Sequence, residues 1–129
     1  MTSPAQLLRA GVLLLDGGMA TSLFARGLAW EATPGEWNLS HAREVAAVHR
    51  GFLEAGCEVV QTNTFLWEGL SPRALEAGAS LARAAVTAHG RGWVAGNLGP
   101  AVRERPLDEL RSDAAAAAAA LAAAGVDWL

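Results

Sequence analysis

Four short segments rich in apolar residues recur along the chain, and a turn that contains polar or glycine residues follows each of the first three. They lie at 12–15, 59–62, 93–96 and 126–129. The first has no polar position. This is typical of a buried parallel strand, because a strand covered on both faces has no side that contacts water. The pattern predicts four parallel strands.

Between these segments the apolar residues recur every three or four positions, as they do along one face of a helix. Ser40 is predicted to cap the first long helix, Pro72 to open the second and Gly125 to end the third, since each residue type is favoured at that position. The predicted helices cover about 40–56, 71–89 and 107–125, with a helical turn at 19–26 and a loop at 28–39.

The order of these elements is β-α-β-α-β-α-β, which predicts right-handed crossover units and a parallel sheet in a single α/β domain. The last predicted strand begins four residues before the end of the sequence. Four β/α units make half of an eight-stranded barrel, so the amino-terminal half of a (β/α)8 TIM barrel is one predicted architecture. An open, flavodoxin-like sheet of four or five strands is the other.

The composition describes a small, mildly acidic domain. The 129 residues are 52% hydrophobic and carry a net charge of −3. Lys and Arg total 10 and form no basic stripe, which argues against a nucleic-acid partner. No apolar run approaches the roughly 18 to 20 residues that span a bilayer, and the amino terminus lacks the features of a signal peptide. No membrane partner and a cytoplasmic location are therefore expected. The single cysteine excludes an internal disulfide and a cysteine-cluster metal site built from this sequence alone.

Polar residues follow three of the predicted strands at their carboxyl ends. Asp16 follows the first strand, Thr62 and Asn63 end the second, and Asn97 follows the third. Because the carboxyl ends of parallel strands share one edge of a sheet, these side chains are expected to lie together, where α/β proteins bind small molecules. Two structural alternatives stay open. In the first, Asp16 only caps the backbone amides that follow it; in the second, residues 62–64 form a turn satisfied by its own side chains.

Two glycines, Gly17 and Gly18, come directly after Asp16 and permit backbone angles and close approaches that a Cβ would forbid. A phosphoryl-transfer enzyme of the haloacid dehalogenase type would need a second Asp at the position of Gly18. The glycine fingerprint of dinucleotide-binding proteins and the P-loop are also absent. The sequence therefore does not predict a phosphoryl-transfer, dinucleotide-binding or P-loop site, and it favours a small-molecule site of another class.

The other residues whose side chains could take part in catalysis or binding lie away from the predicted strand ends. His41, His49 and His89 fall on predicted helices and are expected to face solvent or to pack. Cys57 precedes the second strand and is expected to be a small buried hydrophobe. Trp67 follows the turn after that strand and is a candidate pocket wall.

Several motifs stand in a fixed order along the chain. They are LLDGGMATSL at 14–23, EWNL at 36–39, VVQTNTF at 59–65, VAGNLGP at 94–100 and AGVD at 124–127. Together they resemble the homocysteine S-methyltransferase family. That family includes betaine–homocysteine methyltransferase, the S-methylmethionine-dependent enzymes and the homocysteine module of cobalamin-dependent methionine synthase. The resemblance covers nearly the whole chain.

The resemblance implies a (β/α)8 barrel and a transferase of methionine biosynthesis. In the family a zinc ion held by three cysteine thiolates activates the homocysteine sulfur, which accepts a methyl group from a donor and becomes methionine. By resemblance Asp16, Gly17 and Gly18 line the pocket for the amino-acid end of homocysteine. Thr62 and Asn63 form the neighbouring wall. Homocysteine and a methyl donor are the implied partners.

The sequence also departs from the family pattern. The zinc-binding cysteines of the family lie in the second half of the barrel, and Cys57 is no substitute for them. Residues 1–129 are therefore expected to be a partial domain, truncated before the carboxyl-terminal half, without metal ligands and inactive alone. The methyl donor is not specified by these residues, although Leu66 lacks the aromatic hydroxyl that betaine enzymes place there. The alternatives are a binding or structural half-barrel that self-associates through its open edges, and an unrelated α/β enzyme with the same strand-end Asp.

Overall fold

The computed structural model describes residues 4–129; residues 1–3, which the predicted domain includes, lie outside this part. It forms a helix-rich α/β fold. Within the described residues, the helices are α1 (Pro4–Ala10), α2 (Met19–Phe24), α3 (Trp37–Ser40), α4 (Ala42–Glu54), α5 (Pro72–His89) and α6 (Leu107–Ala123), and the strands are β1 (Val59–Gln61) and β2 (Trp93–Ala95). A 3-10 turn, Pro34–Glu36, precedes α3. From residue 4 to residue 129, no helix combines the length and the apolar character needed to cross a membrane.

The sheet consists of two parallel strands with one further segment on each side. β1 pairs with β2, and Val60 lies opposite Val94. Leu15 forms an isolated parallel bridge to β1, and Trp128 forms one to β2. The backbone N–H of Asp16 donates to the Val59 carbonyl at 3.0 Å. The four segments thus lie side by side in sequence order.

The predicted strands at 12–15 and 126–129 are the largest correction to the sequence-based fold. Each is reduced to a single bridge instead of a regular strand. Within residues 4–129 each has a hydrogen-bonded neighbour on one side only, so half of its backbone groups lack the partners that define a strand. The count of regular strands is therefore two, not four.

The helices pack on the sheet and on one another through three clusters of apolar side chains. One lies between the sheet and helices α4 and α5, one between α5 and α6, and one between α2 and α4. They consist respectively of Leu53, Val60, Ala82, Val86 and Val94; of Trp67, Leu75, Ala79, Ala117 and Leu121; and of Leu23, Leu28, Val45 and Val48. In the second cluster small alanine side chains let α6 lie close to α5.

An ion pair and a backbone hydrogen bond fix the fourth segment beside β2. One Asp127 carboxylate oxygen accepts a hydrogen bond from the backbone N–H of Val94 at 2.7 Å. The guanidinium of Arg83, on α5, donates to the same oxygen at 2.7 Å and to the Gly125 carbonyl. Asp127 thus links the fourth segment to β2 and to α5.

The helix starts agree only partly with the sequence-based expectation. Ser71 caps α5, because its hydroxyl oxygen accepts from the backbone N–H of Ala74 at 3.1 Å. The prediction that Ser40 caps α4 is wrong. Ser40 is the last residue of α3, its hydroxyl donates to the Glu36 carbonyl, and α4 begins at Ala42 without a side-chain cap. The predicted loop at 28–39 contains the 3-10 turn and most of α3, and α1 was not predicted.

The two serines provide a matched pair of substitutions. Ser71→Ala is expected to lower the free energy of unfolding by about 1 kcal/mol, because an amide at the start of α5 loses its acceptor. Ser40→Ala is expected to change the free energy of unfolding by less than about 0.5 kcal/mol, since an exposed hydroxyl that caps no helix is removed. Urea unfolding followed by circular dichroism measures both. Equal losses in the two variants would contradict the assignment of the cap.

Candidate functional site

A cleft of about 440 Å³ opens at the carboxyl ends of the parallel segments. It brings together all five residues that the sequence suggested for substrate binding, and it adds a sixth strand-end residue, Asn97. Its walls include Asp16, Gly17, Gly18, Met19, Pro34, Gly35, Gln61, Thr62, Asn63, Phe65, Leu66 and Asn97. Among the described residues that line this cleft, Asp16 is the one ionisable side chain.

Asp16 is held by the next strand and not by its own turn. One carboxylate oxygen accepts from the backbone N–H of Gln61 at 2.9 Å, and the other accepts from the Gln61 side-chain amide at 3.0 Å. Burial raises the pKa of Asp16 above its ordinary value, and the two hydrogen bonds from Gln61 oppose that rise. Because a carboxylate oxygen can accept more than one hydrogen bond, Asp16 can also bind a cationic group in the cleft.

Thr62, Thr64 and Asn97 form a closed ring of hydrogen bonds at the end of β1. The Asn97 backbone N–H donates to the Thr62 hydroxyl at 2.9 Å, and the Thr64 hydroxyl donates to the Asn97 carbonyl at 2.7 Å. The two hydroxyl oxygens are 2.6 Å apart. Since Thr64 has already donated its one proton, Thr62 must be the donor between them. Thr62 therefore lines the cleft with a hydroxyl that is already engaged.

Asn63 connects the end of β1 to the segment before α3. Its side-chain nitrogen donates to the Pro34 carbonyl at 2.8 Å and to the side-chain oxygen of Asn38 at 3.0 Å. Asn38 in turn donates to the backbone carbonyls of Asn63 and Ala74. These bonds hold Pro34 against the cleft. Asn63 shapes the wall, and both protons of its amide nitrogen are already used.

Close packing, and not an unusual backbone conformation, favours glycine at positions 17 and 18. Neither has a positive φ. A Cβ at Gly17 would lie 3.1 Å from the Phe52 ring, and a Cβ at Gly18 would collide with the Thr21 hydroxyl. The sequence-based expectation of close approaches is met at these two positions, while the expectation of special backbone angles is not.

The sequence alone did not predict a functional role for three residues of the site. Gln61 is the only polar residue of β1, and this interruption of an apolar strand is a usable signal. Asn38 gives no such signal, because its partners lie far away in the sequence. Asn97 was recognised as a strand-end residue without a function.

The histidines lie outside the cleft. His49 is completely buried on α4, and neither ring nitrogen has a hydrogen-bond partner in the described part of the chain. Burial lowers the pKa of His49 from 6.5 to about 4. The His41 ring stacks on the Trp37 ring with 4.1 Å between centroids. Trp67 is also away from the cleft: it is buried in the core, and its indole N–H donates to the Gly99 carbonyl.

The described residues do not fit a zinc ion. Residues 4–129 contain no group of three or more His, Cys, Asp or Glu side chains placed to hold a metal. Cys57 is buried, and burial together with the Asp16 charge raises the pKa of its thiol, so the thiolate that zinc prefers is disfavoured.

Cys57 offers a direct check of this conclusion. Cys57→Ser is expected to leave ligand binding in the cleft and metal uptake unchanged, and to lower the free energy of unfolding by about 1 kcal/mol, because a hydroxyl is buried among apolar groups. Calorimetric titration and urea unfolding measure these quantities. A folded Cys57→Ser variant that fails to bind ligand would overturn the packing role of this cysteine.

A parallel α/β fold with a polar cleft at the carboxyl ends of its strands defines a small-molecule-binding scaffold of the kind found in α/β enzymes. The chain belongs to the homocysteine S-methyltransferase family, whose family model matches residues 13–129.

Solved structures of the homocysteine methyltransferase MmuM from Escherichia coli share this fold. The metallated form is 23% identical, with 93% of this chain and 53% of that chain covered and a TM-score of 0.77. The apo form is 27% identical, with 95% and 49% covered and a TM-score of 0.75. The chain thus spans about half the length of these structures. One of the relatives carries a metal, as its metallated form indicates.

Proposed function

We propose that this chain is the amino-terminal half of a (β/α)8 barrel in a homocysteine S-methyltransferase, and that it holds the amino-acid end of homocysteine. The family match supports the reaction class. The order of the segments supports the barrel, because Leu15, β1, β2 and Trp128 neighbour one another in sequence order. A flavodoxin-like sheet would instead place its first strand between the second and the third.

The observation that carries the proposal is Asp16 in the cleft. It is the one ionisable side chain in the lining, and no basic residue of the described chain lines the cleft beside it. The ammonium group of an α-amino acid is the complementary charge, and a partly buried site strengthens such a pair relative to one in water. Met19, Phe65 and Leu66 offer apolar surface in the same cleft for the sulfur-bearing chain of the substrate.

Methyl transfer itself is proposed to require a second half-barrel. In the family zinc activates the homocysteine sulfur, and residues 4–129 hold no metal cluster. The metal ligands are therefore proposed to lie outside residues 1–129, so that the chain alone binds homocysteine without converting it. The setting implied by this function is methionine synthesis in the cytoplasm, with a methyl donor as the second substrate.

The test is calorimetric titration of the 129-residue chain with L-homocysteine under reducing conditions, followed by an assay for methionine with added zinc and a methyl donor. Saturable binding at one site without methionine formation is expected. The absence of saturable binding would contradict the proposed pocket. Methionine formed by the chain alone would contradict the need for a second half.

A second candidate function is a non-catalytic half-barrel module that completes its sheet with another copy. Leu14, Leu15 and Leu129 are 54%, 49% and 57% exposed on the two outer segments, and exposed apolar edges favour association. If the two copies were related by a two-fold axis along the axis of the barrel, the first segment of each copy would lie beside the fourth segment of the other. All of the strands would then run parallel. Sedimentation velocity distinguishes the cases: a discrete dimer supports this candidate, and a monomer contradicts it.

A further inference from the structure

We propose that the side-chain amide of Asn97 binds the carboxylate of the amino-acid substrate, and that Thr62 and Thr64 position it. The inference rests on the proposed function, since it concerns the same cleft. It assigns to Asn97 a role in substrate specificity.

The first argument is the rigid placement of Asn97. Both its backbone N–H and its carbonyl are bonded to threonine hydroxyls, at 2.9 and 2.7 Å. Thr62 and Thr64 are 2% and 0% exposed, so water does not compete for these hydrogen bonds. The side-chain amide, in contrast, has no partner among residues 4–129 and belongs to the cleft wall. The ring thus fixes the backbone and leaves the amide free for a ligand.

The second argument comes from the other side-chain donors of the cleft. The Asn63 nitrogen already donates both protons, and the Thr21 hydroxyl donates to the Gly18 carbonyl at 3.1 Å. The hydroxyl of Thr62 is engaged within the ring. Gln61 retains one amide proton, because the other is donated to Asp16. Asn97 is the side chain of the described lining that retains both amide protons.

The third argument is the charge distribution. A zwitterion whose ammonium binds Asp16 must direct its carboxylate away from Asp16, because like charges repel. No cation of the described chain lines the cleft, so the carboxylate has to accept its hydrogen bonds from neutral donors. The Asp16 carboxylate reaches over β1, where it accepts from the Gln61 backbone N–H at 2.9 Å, and Asn97 follows β2, the neighbouring strand. Adjacent parallel strands lie about 4.8 Å apart, so the two ends of one α-amino acid can reach both side chains.

The experiment compares L-homocysteine with homocysteamine, the amine that remains when the carboxylate is removed. Calorimetric titrations of wild type and Asn97→Ala give the ratio of the two dissociation constants. We expect Asn97→Ala to weaken homocysteine binding by about 10-fold and to leave homocysteamine binding unchanged, since a hydrogen bond to a charged group is lost for one ligand only. Circular dichroism verifies that the variant is folded.

The threonines are tested as positioning residues by the same ratio. Thr64→Val removes the hydroxyl while conserving the shape of the side chain, and it is expected to reduce the preference for homocysteine. Thr64→Ser keeps the hydroxyl and is expected to restore that preference. A merely structural role of Thr64 would weaken the binding of both ligands alike.

The outcomes separate this inference from the function on which it rests. If wild type binds homocysteine and Asn97→Ala retains the full preference for it, the role of Asn97 is wrong while the proposed function stands. Equal weakening for both ligands in Asn97→Ala also contradicts the inference, because it shows no selective contact with the carboxylate. If wild type binds neither ligand, the proposed function fails as well.

Discussion

Replacing Asp16 with asparagine is expected to weaken L-homocysteine binding by about 100-fold, because a partly buried charge pair is lost while the size of the side chain is conserved. One oxygen remains to accept the hydrogen bond from the Gln61 backbone, so the chain is expected to fold. Burial raises the pKa of Asp16. As the pH falls, wild-type binding is therefore expected to weaken at a higher pH than it would if this carboxyl were exposed to solvent. Calorimetric titration of both proteins over a range of pH measures these effects.

Asp127 provides the matched control for Asp16. It also links two neighbouring segments through a backbone N–H, but it lies on the fourth segment and is not among the residues that line the cleft. Asp127→Asn is expected to lower the free energy of unfolding, since the ion pair with Arg83 is lost, and to leave homocysteine binding unchanged. If the two variants lose homocysteine binding equally, the effect of Asp16 is structural and its role in recognition is wrong.

The contribution of His49 by itself is expected to lower the free energy of unfolding by about 3 kcal/mol as the pH decreases from 6.5 to 4. The folded chain keeps this buried imidazole neutral down to a pKa of about 4. The unfolded chain takes up a proton near pH 6.5. Acid therefore favours the unfolded state throughout this window, and the contribution is constant below it. A loss of this size is large against the 5–15 kcal/mol typical of a folded domain.

The control for this effect is His49→Leu, which replaces the ring by an apolar side chain. Neither ring nitrogen has a hydrogen-bond partner within residues 4–129, so the substitution breaks no described hydrogen bond. The variant is expected to be at least as stable as wild type at pH 7 and to lack this part of the acid-induced loss. Urea unfolding of both proteins from pH 7 to pH 4 gives the difference, in which contributions from Asp16 and the other carboxyls cancel. Parallel pH profiles would contradict the assignment to His49.

The helices and the residues of the site could be predicted from the sequence. The spacing of apolar residues predicted α5 and α6 close to their observed ends, because helical periodicity is a local property. The clustering of Asp16, Asn63 and Asn97 followed from the rule that parallel strands share one carboxyl edge. Proximity of these residues needed no tertiary information beyond that rule.

The hydrogen-bond partners could not be predicted from the sequence, because these bonds join residues that are far apart along the chain. Asp16 bonds to Gln61, which is 45 positions away, and the Thr64 hydroxyl bonds to Asn97, which is 33 positions away. A sequence pattern states which face or end of an element a residue occupies, but not which distant group its polar atoms meet. Only the packed structure therefore shows that the Thr62 hydroxyl is engaged while the Asn97 side-chain amide has no partner among residues 4–129.

The sequence by itself determined the family, the α/β character and the location of the cleft, since these depend on local apolar patterns and on short motifs in order. The tertiary structure decided the extent of the sheet and the surroundings of His49. The segments at 12–15 and 126–129 have the composition of strands but form only single bridges, because a strand is defined by its neighbours. His49 has an altered pKa because the surrounding elements exclude water from its ring, and the sequence of α4 alone does not reveal that burial.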